Sequence, residues 1–270
     1  MYWRIKIIIN SNNINNKIKS LLVREIEKIE NENKIKILLA VESGSRAWGF
    51  PSQDSDYDVR FIFIRPQNTY LSIKNYKDTL TFPINDDLDI CGWDVKKVLQ
   101  HIKKSNAVMF EWFQSPIIYK CDKAFLSEAW KLSQEYYSPS VCISHYLGIS
   151  NNFYSNINQA GEIIKIKKVF YVLRPLLAAL WIVDKNNIPP MVFQKLLSII
   201  ESKSEIIEII NRLLSTKEKS NESTLIKLDA ELNLFIKKTF EKLESSRKER
   251  STKERNVDLL DHFFMKLLEE

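Results

Sequence analysis

Glycine is scarce in this chain, with five among 270 residues, and cysteine and histidine number three each. Cys91, Cys121 and Cys142 are an odd set with no C-x-x-C spacing, which excludes a zinc ribbon and a disulfide framework as organising devices. A reducing cytoplasm is then the expected compartment. His101, His145 and His262 lie far apart and show no H-E-x-x-H spacing, so a histidine-based metal centre is not expected. No run of about 18 apolar residues occurs, which argues against a membrane span. The opening MYWRIKIIINSNN has a short apolar core and no small-residue cleavage site, and reads as a strand or an extension rather than a signal peptide.

What is present points to an ordinary folded protein. At 44% hydrophobic and 27% charged the chain can bury a real core, and its length suits one large domain or two ordinary ones. The net charge of +6 favours polyanionic partners. Richness in Lys, Ile and Asn also fits an AT-rich genome, so charge alone decides little.

Periodicity divides the chain. Ile18, Leu21, Leu22, Ile26 and Ile29 recur at helical spacing and predict a helix over 17–33. KIKILLAVES (34–43) reads as a buried strand ending at a glycine turn. DVRFIFIRP (58–66) reads as a second strand, stopped by Pro66. A turn at Asn85-Asp86-Asp87 leads to a third strand over Leu88–Trp93, and Asp94 stands where a helix N-cap is needed. Beyond residue 122 the segments are helical in period, broken at Pro139, Gly161 and Pro189-Pro190. The charged run SSRKERSTKERN (245–256) reads as a solvated helix or linker. The expectation is an α/β domain over 1–122 followed by an all-helical domain over 123–270.

Two of the five glycines fall in VESGSRAWGFPSQDSDYDVRFIFIRP (41–66), together with four acidic residues. Gly44 permits close approach of a backbone to a ligand, Ser45 adds a hydroxyl and Arg46 a positive charge, which together suit an anion. Asp56 and Asp58 flank Tyr57, and residues two apart on a strand share a face. Adjacent carboxylates repel unless a cation lies between them, and such oxygen ligands suit Mg²⁺ or Mn²⁺. Asp89, within the third strand, is placed to be a third carboxylate for displacement at phosphorus. Asp94 in WDV fits the same apolar-flanked pattern, but its capping role favours Asp89.

This arrangement of G-S, D-x-D and a later apolar-flanked Asp resembles the DNA polymerase beta nucleotidyltransferase superfamily. The stretches ESGSRAWGFPSQDSDYDVRFIFIRP, DLDICGWDVKKVLQHIKKSNAVMFEWFQSPIIY and IKKVFYVLRPLLAALWI narrow the resemblance to its RNA-repair-pathway branch. It runs from about residue 37 to 200 and fits the first twenty residues poorly. The resemblance implies an α+β fold: a small polymerase beta-like mixed-sheet domain, then a helical domain closing the nucleotide cleft. It implies that Gly44, Ser45 and Arg46 hold the triphosphate of an NTP. Asp56, Asp58 and Asp89 would ligate two Mg²⁺ (or Mn²⁺) ions, Asp89 also helping to deprotonate the attacking hydroxyl.

In IKIKKVFYVLR, Lys167, Tyr171 and Arg174 share one helical face opposite Val169, Phe170 and Leu173. With Lys168 they are candidates for triphosphate and base contacts. Pro175 is expected to interrupt that helix or begin a new one. In KSNAVMFEWFQSP, Asn106 and Glu111 are candidate supports, while Phe110, Trp112 and Phe113 read as core. The functional expectation is transfer of NMP from an NTP to an acceptor hydroxyl, with an RNA end as the acceptor the branch suggests. The other readings are transfer to a protein or small molecule, and a nucleotide-binding regulator without turnover.

Overall fold

A computed structural model of the chain describes residues 16–82, 88–160, 163–202, 204–247 and 256–269. The order of elements in the first half is α1 (Asn16–Asn33), β1 (Lys36–Glu42), α2 (Gly44–Trp48), β2 (Tyr57–Ile64), α3 (Gln67–Tyr70), β3 (Thr79–Thr81), β4 (Leu88–Asp94), α4 (Val95–Lys103), α5 (Ala107–Phe113) and β5 (Ile118–Cys121). The second half contains α6 (Lys123–Glu135), α7 (Pro139–Ala160), β6 (Ile163–Lys165), α8 (Ile166–Lys185), α9 (Phe193–Leu196), α10 (Glu205–Glu218), β7 (Leu225–Lys227), α11 (Ala230–Arg247) and α12 (Asp258–Glu269). The turn expected at 85–87, the break at Gly161, the reading of the first thirteen residues and most of the 245–256 run lie outside the described residues.

Five strands form one mixed sheet in the order β3-β4-β2-β1-β5. β1 runs antiparallel to both β2 and β5, while β2 and β4 are parallel. The parity of β2 sorts its side chains. Val59, Phe61 and Phe63 pack against Leu22, Ile26 and Ile29 of α1, and Ile62 and Ile64 pack on the opposite face among α4, α5 and α6. Because β1 is covered on both faces, six of its seven residues are buried. Gly92 leaves room for the ring of Phe61, its register partner on β2.

The second core belongs to the helical half and centres on α8, most of which is buried. α8 runs unbroken through Pro175, so the expected interruption does not occur. A two-stranded β6-β7 sheet accompanies these helices. α6 and α12 pack instead on the five-stranded sheet: Phe125, Ala129, Leu260 and Phe263 share a core with Leu39 and Ile62. Among the described residues no helix is long and apolar enough to cross a membrane.

Phe50 joins the halves where it matters for the site. Its ring stacks on Phe170 of α8 at 5.0 Å and meets Phe193 edge-on at 5.2 Å. The loop from Gly49 to Asp56 is thereby anchored in the helical core at one end and enters β2 at the other.

Candidate active site

The site forms where β1 ends and β2 and β4 begin. Gly44 opens α2 with φ +58°, a left-handed conformation that a side chain disfavours. The backbone is tied across at this point, Ser43 N–H donating to the carbonyl of Asp58 at 2.8 Å. The Asp58 carboxylate then lies against the bare α-carbon of Gly44: a Cβ there would sit 1.9 Å from Oδ2. With the Asp58 carboxylate in this position, only glycine fits.

Asp58 and Asp89 are register partners across the parallel β2–β4 pair, so their side chains stand on one face. Between them lies a cation that the sequence reading overlooked. Arg60 Nη2 donates to Asp89 Oδ2 at 2.6 Å and to Asp58 Oδ1 at 3.4 Å. Its Nη1 donates to the carbonyls of Val59 and Asp89, both at 3.0 Å, which holds the guanidinium in place. Arg60 follows Asp58 by two residues, so strand parity was the signal for it. Burial raises the Asp58 pKa above the usual carboxylate range; Arg60 opposes this, and Asp89 and Asp56 add to it.

Behind the site, Glu42 is wholly buried. It accepts from the Asp58 N–H at 3.0 Å and from the Tyr119 hydroxyl at 2.5 Å. Burial pushes its pKa up to about 7 against those hydrogen bonds. Its role is to hold the backbone that carries Asp58.

Arg46 and Ser45 organise the loop before β2. Arg46 donates to the carbonyls of Ser55 (2.5 Å) and Asp56 (3.1 Å) and lies 3.9 Å over the Tyr57 ring. The buried Ser45 hydroxyl donates to Ser55 Oγ at 3.1 Å. The guanidinium of Arg46 thus fixes the approach to Asp56.

The candidate residues of α8 separate. Lys167 forms an ion pair with Glu222 and lies 5.5 Å from the Tyr171 ring centre. Burial works against the Lys167 charge, but the Glu222 hydrogen bond and the charges of Glu222 and Asp56 hold its pKa above the ordinary value. Tyr171 stacks on Phe153 at 5.0 Å and meets Trp48 edge-on at 5.8 Å. Both Lys167 and Tyr171 are close enough to Asp58 to interact with its charge. Lys168 is half-buried.

Arg174 does not join them. It is 4% exposed, pairs with Glu111 Oε1 at 2.8 Å, donates to the Met191 carbonyl at 3.3 Å and lies 4.5 Å over Trp48. Tyr146 donates to the same Glu111 oxygen at 2.9 Å. The common face expected for Lys167, Tyr171 and Arg174 is therefore divided, because α5 supplies a partly buried carboxylate to the third residue. Asn106 likewise serves the fold: its side chain caps α5 by accepting from Val108 N–H at 3.0 Å.

Asp94 lies five residues along β4 from Asp89, roughly 16 Å at strand rise. Wholly buried, it caps α4 through Lys96 N–H at 2.9 Å and accepts from Tyr70 at 2.9 Å. It stands at the far end of the strand from Asp58.

Ser55 joins the site from the loop before β2, and two further residues reach it from remote sequence. Ser55 accepts from Ser45, Glu222 pairs with Lys167, and the buried Lys217 donates to Ser52 Oγ at 2.6 Å. No spacing announces the last two. Among the described residues no group of three or more carboxylate, imidazole or thiolate ligands converges on a point. The donor chemistry nevertheless fits a divalent ion. Asp58 and Asp89 are hard oxygen ligands that already share a positive charge.

The chain is similar to known proteins. The Bacillus subtilis (strain 168) protein YcgL is 38% identical over 240 residues, covering 89% of this chain and 92% of its own length. A solved nucleotidyltransferase-like protein from Exiguobacterium sibiricum 255-15 aligns over 86% of this chain and 81% of its own, at 11% identity and a TM-score of 0.30. Residues 18–266 match the sequence profile of the RNA repair pathway DNA polymerase beta family. The chain belongs to that family and is a nucleotidyltransferase.

Proposed function

We propose that the protein transfers a nucleoside monophosphate from an NTP to an acceptor hydroxyl at an RNA end, with divalent metal and release of pyrophosphate. The observation that carries this reading is the pairing of Asp58 and Asp89 on one face of β2–β4, with the Asp58 carboxylate packed on Gly44.

In this reading Asp56, Asp58 and Asp89 hold two Mg²⁺ or Mn²⁺ ions, which supply charge neutralisation at the triphosphate. Lys167 and Ser45 bind phosphate oxygens, and Arg46 keeps the Ser55–Asp56 backbone aligned for them. Tyr171, supported by Phe153, offers a ring beside the site for the base. Asp89 accepts the proton of the acceptor hydroxyl as its oxygen bonds to the α-phosphorus. The bond from that phosphorus to pyrophosphate breaks, and the pyrophosphate leaves. The helical half closes the cleft by bringing Lys167, Tyr171 and Glu222 to the strand ends. Three free thiols fit a cytoplasmic setting.

The test supplies the protein with Mg²⁺ and each labelled NTP, in parallel with RNA, protein and small-molecule acceptors. Label on the RNA end, lost in Asp56→Asn and Asp58→Asn, is the expected result. Label on a protein or small molecule instead would overturn the acceptor assignment. Pyrophosphate release that survives both substitutions would overturn the mechanism.

A further inference from the structure

The loop between α10 and β7 places an acidic side chain against the groups assigned to phosphate binding. Glu222 takes the Lys167 ammonium on one carboxylate oxygen and the Ser55 hydroxyl, at 3.4 Å, on the other. Ser55 is in turn bonded to Ser45 at 3.1 Å. The donor set around Glu222, an ammonium and a hydroxyl beside the start of α2, is the set a phosphate oxygen would accept from.

The rest of the loop is fastened nearby. Glu222 N–H donates to both oxygens of Asp54, at 2.9 and 3.2 Å, and Gln53 N–H donates to the Ser220 carbonyl at 3.3 Å. These contacts link the loop to the same Gly49–Asp56 segment that leads into the candidate metal ligands. The Glu222 side chain is 24% exposed and that of Lys167 34%, so the pair is open to a ligand from solvent.

We propose that Glu222 is a resident stand-in for a phosphate group, and that a polyphosphate must displace it from Lys167 and Ser55 to bind. The proposal rests on the nucleotide reading above. A carboxylate and a phosphate cannot share one ammonium without like-charge repulsion. Glu222 therefore lowers affinity for every anion and selects ligands carrying enough charge, such as a metal-chelated triphosphate, over singly phosphorylated ones. On binding, the 219–224 loop leaves Asp54 and Lys167.

Calorimetry with Mg²⁺ and the non-transferable α,β-methylene analogue of ATP tests this on the full chain. Glu222→Gln keeps the size and removes the charge; its Kd is expected to fall about tenfold relative to the unsubstituted protein. An equal or higher Kd overturns the proposal and leaves the nucleotide reading standing, since Glu222 would then be positioning Lys167 for the substrate. Absence of binding to either protein is the failure of the nucleotide reading, and the proposal falls with it. A second measurement needs no variant. Hydrogen exchange at 219–224 in the unsubstituted protein is expected to accelerate when the analogue binds, and slower or unchanged exchange would overturn the displacement.

Discussion

The carboxylate of Asp58 rests on the α-carbon of Gly44, so that the two residues define one another's place. A methyl group at position 44 would sit 1.9 Å from Asp58 Oδ2, and Gly44 holds φ at +58°. Gly44→Ala must move the Asp58 carboxylate, the D-x-D strand end or the β1–α2 turn. A displacement of about 1 Å at a reacting centre costs roughly 100-fold in rate. Transfer of labelled NMP is expected to fall by at least that factor, with a lowered melting temperature. Unchanged transfer would show that the close approach does not matter.

Arg60 is expected to compete with divalent metal for its carboxylates. Arg60→Met leaves Asp58 and Asp89 facing each other without the shared guanidinium, and charged hydrogen bonds of this kind contribute about 1.5–3 kcal/mol. In chelator the variant should melt below the unsubstituted protein. Added Mg²⁺ should raise its melting temperature by the larger amount, because the ion binds the folded form alone. An equal Mg²⁺ increment in both proteins would show that the guanidinium does not lie where the ion binds.

Arg174 should report on stability. It shares Glu111 with Tyr146 in a buried setting, and removing one partner of a buried ion pair costs about 3–5 kcal/mol. Urea denaturation of Arg174→Met is expected to show a loss of that order. Lys167→Gln, whose pair with Glu222 is partly exposed, should lose nucleotide binding with far less change in stability.

Lys217 gives the fold a pH signature. It is 1% exposed, and burial lowers its pKa to about 8, reinforced by Lys167 and opposed by Glu222 and Asp54. Between about pH 8 and the ordinary lysine value of 10.5, the unfolded chain binds a proton that the folded chain does not. This contribution to stability therefore rises with pH across that window and is at its lowest below pH 8. Lys217→Met lacks it. The variant's stability relative to the unsubstituted protein should be greatest below pH 8 and decline towards pH 10.5. A difference independent of pH would mean that the ammonium is not held in a depressed state.

Much of the fold was legible because periodicity reports burial directly. The continuous apolar run FIFI that ends DVRFIFI marks a strand packed on both faces, and the 17–33 period marks the helix that covers one of them. The G-S and D-x-D spacings were legible for a similar reason, since local backbone geometry dictates which residue types can stand there. Asp94 carried its capping role in its position directly before VKKVLQHIKK, and it does cap that helix. Pro175 does not break α8, because a buried helix can hold a proline ring that an isolated helix would not.

By itself, then, the sequence determined α1, β1, β2, β4 and the cap of α4, together with the glycine-serine turn and the candidate carboxylates. All of these depend on neighbours within a few residues, while the short strands β3, β5, β6 and β7 were not legible in it. Only the tertiary structure decided which charges meet. The parallel register of β2 and β4 sets Asp89 beside Asp58 with Arg60 bridging them. The α10–β7 loop carries Glu222 to Lys167 and Ser55 across a long sequence separation. The same packing turns Arg174 inward to Glu111 while leaving Lys167 at the cleft. Coulombic pairing depends on distance in space and on desolvation, and neither is written in the order of residues along the chain.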